Sequence, residues 1–275
     1  MKQNSLIRTG GLITAALGLI FLPILIDWLQ PVETQGQAHQ HTAPTTEVSY
    51  ILDWAWGEAL PAEGGRGWSV TNNLGYTIQV QRGYLVNRSV ELIPCEYEGS
   101  LVEIFLDRLA SQPVQAGHGD AEHDSTRIST PFIESFAQPS TSELETVFGY
   151  EPTYCQAHYL IAPGIETARN LPTEVNLLDK SLLIEGNYTT PHSDTAVPFT
   201  VSTGLAWGIV TNLNNIKTGF QPAIIEAGNQ SRQIIIRRNL EGMFDNLDFQ
   251  RMTPDEQAQS ILRSLTASTQ ILVIP

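Results

Sequence analysis

The sequence predicts a mainly β protein, an antiparallel β-sandwich with two short helices. Three observations lead there. Stretches of alternating apolar and polar residues recur, the clearest running from Trp68 to Val86. Gly, Pro and Asn punctuate the chain between them at short intervals. Only two stretches carry helical spacing behind a capping signature. With 275 residues, 41% of them apolar, the chain can bury a core large enough for one such domain.

In chain order, residues 1–30 read as an export signal or a membrane anchor. Lys2 and Arg8 precede an apolar run from Leu12 to Leu29 that is interrupted by Pro23 and Asp27. This charge order puts the rest of the chain outside the cytoplasm, periplasmic or secreted. Two readings stay open. Gly36-Gln37-Ala38 offers small residues for cleavage after Ala38, making a signal peptide. Uncleaved, the run is close to the minimum for one transmembrane span at the inner membrane. Residues 31–47, rich in Gln, Thr, Pro and His, read as a flexible linker, and 48–275 as the extracytoplasmic domain.

Within that domain, Tyr76, Ile78 and Val80 alternate with Thr77, Gln79 and Gln81, and Asn73-Leu74-Gly75 marks the turn before them. Tyr84 to Ile93 is rich in β-formers. Leu101, Ile104, Phe105 and Leu109 recur at helical spacing behind a Ser100/Glu103 capping box, which predicts the first helix. A polar loop spans Ser111 to Ser125. Thr126–Phe136, Thr153–Ala162, Ser181–Gly186, Val197–Gly204 and Gln233–Arg238 read as strands. Thr253, Pro254 and Glu256 open the second helix, whose buried stripe is Ala258, Ile261, Leu262 and Leu265. Thr269 to Ile274 reads as a closing strand.

The net charge of -14 excludes nucleic acid as a partner, because binding phosphates requires a basic face. Cys95 and Cys155 are the only cysteines, and in an exported chain they are expected to form a disulfide. Asn87-Arg88-Ser89, Asn187-Tyr188-Thr189 and Asn229-Gln230-Ser231 match the N-glycosylation pattern.

Chemistry concentrates in Gly117-His118-Gly119-Asp120-Ala121-Glu122-His123-Asp124, which packs two imidazoles and three carboxylates into one short loop. These side chains bind borderline divalent metals, and the flanking glycines let a backbone wrap a small ion. The candidate metal ligands are His118, His123, Asp120 and His158. By strand alternation, Tyr154, Gln156, His158 and Leu160 share a face and Cys155 points the other way. The competing reading is a solvated acidic loop. If cleavage follows Ala38, His39-Gln40-His41 becomes a free N-terminus with a third-position imidazole, a set suited to Cu(II) or Ni(II). Trp54 and Trp56, two apart, form a possible aromatic site for a sugar or a peptide; core packing is the alternative. The sequence contains no Gly-x-Ser-x-Gly, no His-Glu-x-x-His and no Gly-rich phosphate loop, so a non-enzymatic role is expected.

The Trp-rich first segment, the histidine loop and Tyr154-Cys155-Gln156-Ala157-His158-Tyr159 resemble the periplasmic copper-binding proteins associated with methanobactin and copper-uptake operons. The resemblance spans roughly residues 50–265; two cysteines replace the four that some members carry. It implies a β-rich fold, copper held through histidines (here His118, His123 and His158), and Trp54 or Trp56 as the neighbouring aromatic. The expected function is therefore an extracytoplasmic carrier or metallochaperone for copper, ahead of zinc. The alternatives are a glycan- or protein-binding sandwich module, and a membrane-anchored accessory subunit with a membrane or periplasmic protein partner.

Overall fold

The computed structural model describes residues 46–62, 65–95, 126–149, 153–218, 221–222, 224–226 and 230–275. Its strands are β1 (Thr46–Ala55), β2 (Leu60–Pro61), β3 (Trp68–Thr71), β4 (Thr77–Pro94), β5 (Phe132–Ser135), β6 (Ser142–Gly149), β7 (Thr153–Ile161), β8 (Leu182–Thr190), β9 (Ser193–Thr203), β10 (Trp207–Asn212), β11 (Lys217–Thr218), β12 (Gln221–Pro222), β13 (Ile225–Glu226), β14 (Gln230–Asn239) and β15 (Gln270–Ile274). One α-helix, α1 (Pro254–Ala267), is found among the described residues. The mainly β, sandwich-like class is as expected. The helix predicted over Leu101–Leu109, the N-terminal segment and the linker up to residue 45 lie outside the described residues. Strand β1 starts at Thr46, just inside the segment read as linker.

One sheet has four strands in the order β15-β14-β1-β6. Its central pair, β1 and β14, runs parallel, and its other pairs are antiparallel. Alternation in β1 turns Val48, Tyr50, Leu52 and Trp54 to the buried side, and in β14 Ile234 and Ile236 do the same. The larger sheet is built on β4, whose first half pairs with β8 and second half with β7. Residues of both sheets share one hydrophobic core, to which α1 adds Ala258, Ile261, Leu262 and Leu265. The capping box predicted for α1 is present: Thr253 accepts from the Glu256 backbone, and Glu256 accepts from the Thr253 backbone. A second, smaller cluster gathers Tyr84, Val86 and Leu183 with Leu177 of the loop after β7.

Local chemistry explains the turn between β3 and β4. Asn72 Oδ1 accepts from the Leu74 and Tyr76 backbone N–H groups, and Gly75 takes φ +81°. The Asn72 amide reaches on to the Phe244 and Leu247 carbonyls, which ties the hairpin to the chain ahead of α1.

Three local expectations change. Thr126–Phe136 is not one strand: Ile128 makes a single bridge to Val90, and β5 starts only after Pro131, which has no N–H for a ladder. Strands β8 and β9 run up to a tight turn at Pro191-His192, longer than their apolar centres suggested. On β7 a register irregularity opposite Ile93/Pro94 breaks the alternation. Tyr154 therefore joins Ala157, Tyr159 and Ile161 in the inter-sheet core instead of sharing the face of His158.

Candidate functional site

The Cys95–Cys155 disulfide joins the end of β4 to β7, with its Cα atoms 4.8 Å apart. Close to it, Glu91 of β4 lies directly opposite His158 of β7. Their neighbours Val90, Leu92, Ala157 and Tyr159 face the inter-sheet core, so the pair occupies the other face of the sheet. Both side chains are nonetheless buried, Glu91 at 0% and His158 at 2% exposure. His158 Nδ1 and Glu91 Oε1 lie 2.6 Å apart in a hydrogen bond whose direction follows the imidazole tautomer. The far side of the imidazole lies over β10, where Gly208 pairs with Leu160. A methyl on Gly208 would come within 3.3 Å of His158 Nε2, so the glycine makes room for the ring.

A second polar constellation lies inside the sandwich. Arg238 of β14, fully buried, donates from Nη2 to Glu134 Oε1 of β5 at 2.8 Å and from Nη1 to Asn87 Oδ1 of β4 at 3.1 Å. Its Nε donates to the Asp53 carbonyl at 3.1 Å, and its guanidinium carbon sits 4.4 Å from the centre of the Trp54 ring. Trp54 Nε1 and the Asn87 amide each donate to Glu134, and the Tyr159 hydroxyl donates to Asn87 Oδ1. Burial opposes the Arg238 charge, but Glu134 and Tyr159 outweigh it and hold the group above its ordinary value. Tyr159 is pushed up to about 12, chiefly by burial. This is a closed set of charge-assisted hydrogen bonds joining both sheets.

The residues singled out in the sequence fare differently. His118, Asp120 and His123 lie outside the described residues, as do His39 and His41. His158 is described, and its partner is Glu91. Trp54 is a core residue, 6% exposed, with its indole N–H bound to Glu134, so it offers no face to a sugar. Trp56 follows the end of β1, is partly buried, and lines a cleft of about 240 Å³ with Pro61 and Pro139. Asn87 is buried with both amide contacts inside the protein, which leaves no room for a glycan. His192 is exposed in the β8–β9 turn. No group of three or more metal-ligating side chains is found among the described residues.

Sequence reasoning passed over Glu91, Glu134 and Arg238. A signal for two of them existed. Glu91 interrupts the apolar run Val90 to Ile93, and Arg238 continues the face of Ile234 and Ile236 at a period of two. The chain matches no protein-family model, no curated protein and no solved structure.

Proposed function

We propose that this protein is an extracytoplasmic metal-binding protein, a carrier or metallochaperone for copper ahead of zinc, with no catalytic activity of its own. The observation that carries the reading is the Glu91–His158 pair. A carboxylate on one imidazole nitrogen is the usual companion of a metal-ligating histidine. The sequence supplies further donors of the right kind at His118, Asp120 and His123, on the stretch between the two half-cystines. The disulfide is compatible with a compartment outside the cytoplasm. The N-terminal apolar run serves as signal peptide or as an inner-membrane anchor, which would bring the carrier to a membrane or periplasmic partner protein.

The test is elemental analysis of the full-length protein after exposure to Cu(II) and dialysis, beside a His118→Ala/His123→Ala variant. About one copper per chain, lost in the variant, is the expected result. Absence of metal from both proteins would discard the reading.

A further inference from the structure

We infer that β15 is a self-association edge. Two copies of this chain pair β15 to β15, antiparallel about a two-fold axis, and join their four-stranded sheets into one continuous sheet. Neither a metal nor the histidine loop takes part, so the contact is independent of the function proposed above.

The free edge calls for a strand. β15 is the outermost strand of its sheet and pairs only with β14 among the described residues. Alternate backbone N–H and C=O groups of such a strand point away from the sheet, and another strand is the natural partner for them. Other edges carry devices against this. β6 has exposed Glu143 and Glu145, and its register with β1 breaks between Tyr50 and Ile51. β9 contains Asp194 and Pro198, and α1 lies against it. β2 is two residues long and ends in Pro61. β15 has none of these features. Gln270 to Ile274 is uncharged, pairs with β14 without a bulge, and keeps every N–H, since Pro275 lies beyond the paired residues. No charged residue occurs from Ser264 to Pro275. On a chain of net charge -14, this edge is where a second copy meets the least repulsion.

The occupant is a second copy because the strand is complementary to itself. A two-fold axis through Leu272 sets that residue against its own mate, Ile271 against Val273, and Gln270 against Ile274. Ile271 and Val273 both face the core, so the second of these pairings matches apolar with apolar. Leu272, on the outer face, ends a row of half-buried aliphatic side chains that crosses three strands, Ile51 to Ile235 to Leu272. Pairing about Leu272 carries this row into the second copy. Ile274, 41% exposed, is covered by Gln270 of the other copy. No like charges meet across the seam, whereas pairing β6 with β6 would bring glutamates together. A strand of this length buries less than the roughly 1,200–2,000 Å² of a stable complex, so the dimer exchanges with monomer.

The test is sedimentation velocity of the full-length protein from micromolar to millimolar concentration, beside two double variants. Gln270 and Ile274 are exposed, so the fold tolerates changes at both. The parent is expected to pass from monomer to dimer as concentration rises. Gln270→Lys/Ile274→Lys sets like charges opposite each other twice and is expected to weaken the dimer about 10-fold. Gln270→Glu/Ile274→Lys sets opposite charges in the same places and is expected to restore it. Monomer alone at every concentration overturns the inference and leaves the edge to a strand of another protein. Dimerisation that the first variant leaves unchanged, or that the second fails to recover, overturns it as well.

Discussion

The guanidinium of Arg238 lies 4.4 Å over the ring of Trp54, while both side chains hold the same oxygen, Glu134 Oε1. One carboxylate thus joins a residue of β1 to one of β14, the parallel pair at the centre of the smaller sheet, and does so from β5 of the other sheet. Buried charge is costly unless paired and hydrogen-bonded, so the arrangement holds only when all partners are in register.

Removing one partner should therefore be severe. Arg238→Ala leaves Glu134 buried without its counter-charge, and the expected loss is about 3–5 kcal/mol. Replacing both charges together, as Arg238→Met with Glu134→Leu, should cost clearly less than the sum of the two single changes. Denaturant unfolding of the four proteins checks this; additive losses would show that the pair is not coupled.

The disulfide closes a loop with a sequence separation of 60 residues. Chain entropy gives about 4 kcal/mol for a loop of that size. Cys95→Ser/Cys155→Ser should lose up to that amount, and reductant should lower the unfolding midpoint of the parent protein but not of the variant. Equal midpoints for parent and variant without reductant would rule out a stabilising bridge.

Alkaline pH should weaken the fold through two tyrosines. Burial raises Tyr159 from the ordinary 10.0 to about 12, and burial together with Glu174 raises Tyr84 to about 12. In the unfolded chain both ionise near the ordinary value, so above it the native state binds more protons than the unfolded one. Stability is then full below pH about 10 and falls as pH climbs toward about 12. Tyr159→Phe should flatten this slope in unfolding measured across that window. A slope unchanged by the substitution would contradict the role given to Tyr159.

The α1 capping box gives a smaller effect at an exposed position. Thr253→Ala removes the acceptor for the Glu256 backbone N–H and should cost about 1 kcal/mol. Thr253→Asp, which keeps a side-chain acceptor, should recover most of it. Similar losses in both variants would show that the cap contributes little.

Legibility in the sequence followed the range of the interactions involved. The Tyr76-Ile78-Val80 face, the turn at Asn73 to Gly75 and the capped helix are written in neighbouring residues and were found in place. Strand β6 and its pairing to β1 were not evident, because Ser142–Gly149 carries two glutamates and lies at a sheet edge where alternation is weak. The sharing of a face by Tyr154 and His158 failed because a bulge is set by the partner strand, whose residues are about 60 positions away in the chain.

The sequence by itself determined the β class, the capped helix and the disulfide partners. Each depends on local periodicity or on a pair with no alternative. Only the tertiary structure decided that β1 lies beside β14 in parallel, that Arg238 is neutralised by Glu134, and that His158 is held by Glu91. Those choices rest on contacts between residues 67 to 184 positions apart, where many pairings satisfy the same apolar pattern. What separates them is the cost of burying a charge without its partner, a quantity that exists only once the sheets have closed on each other.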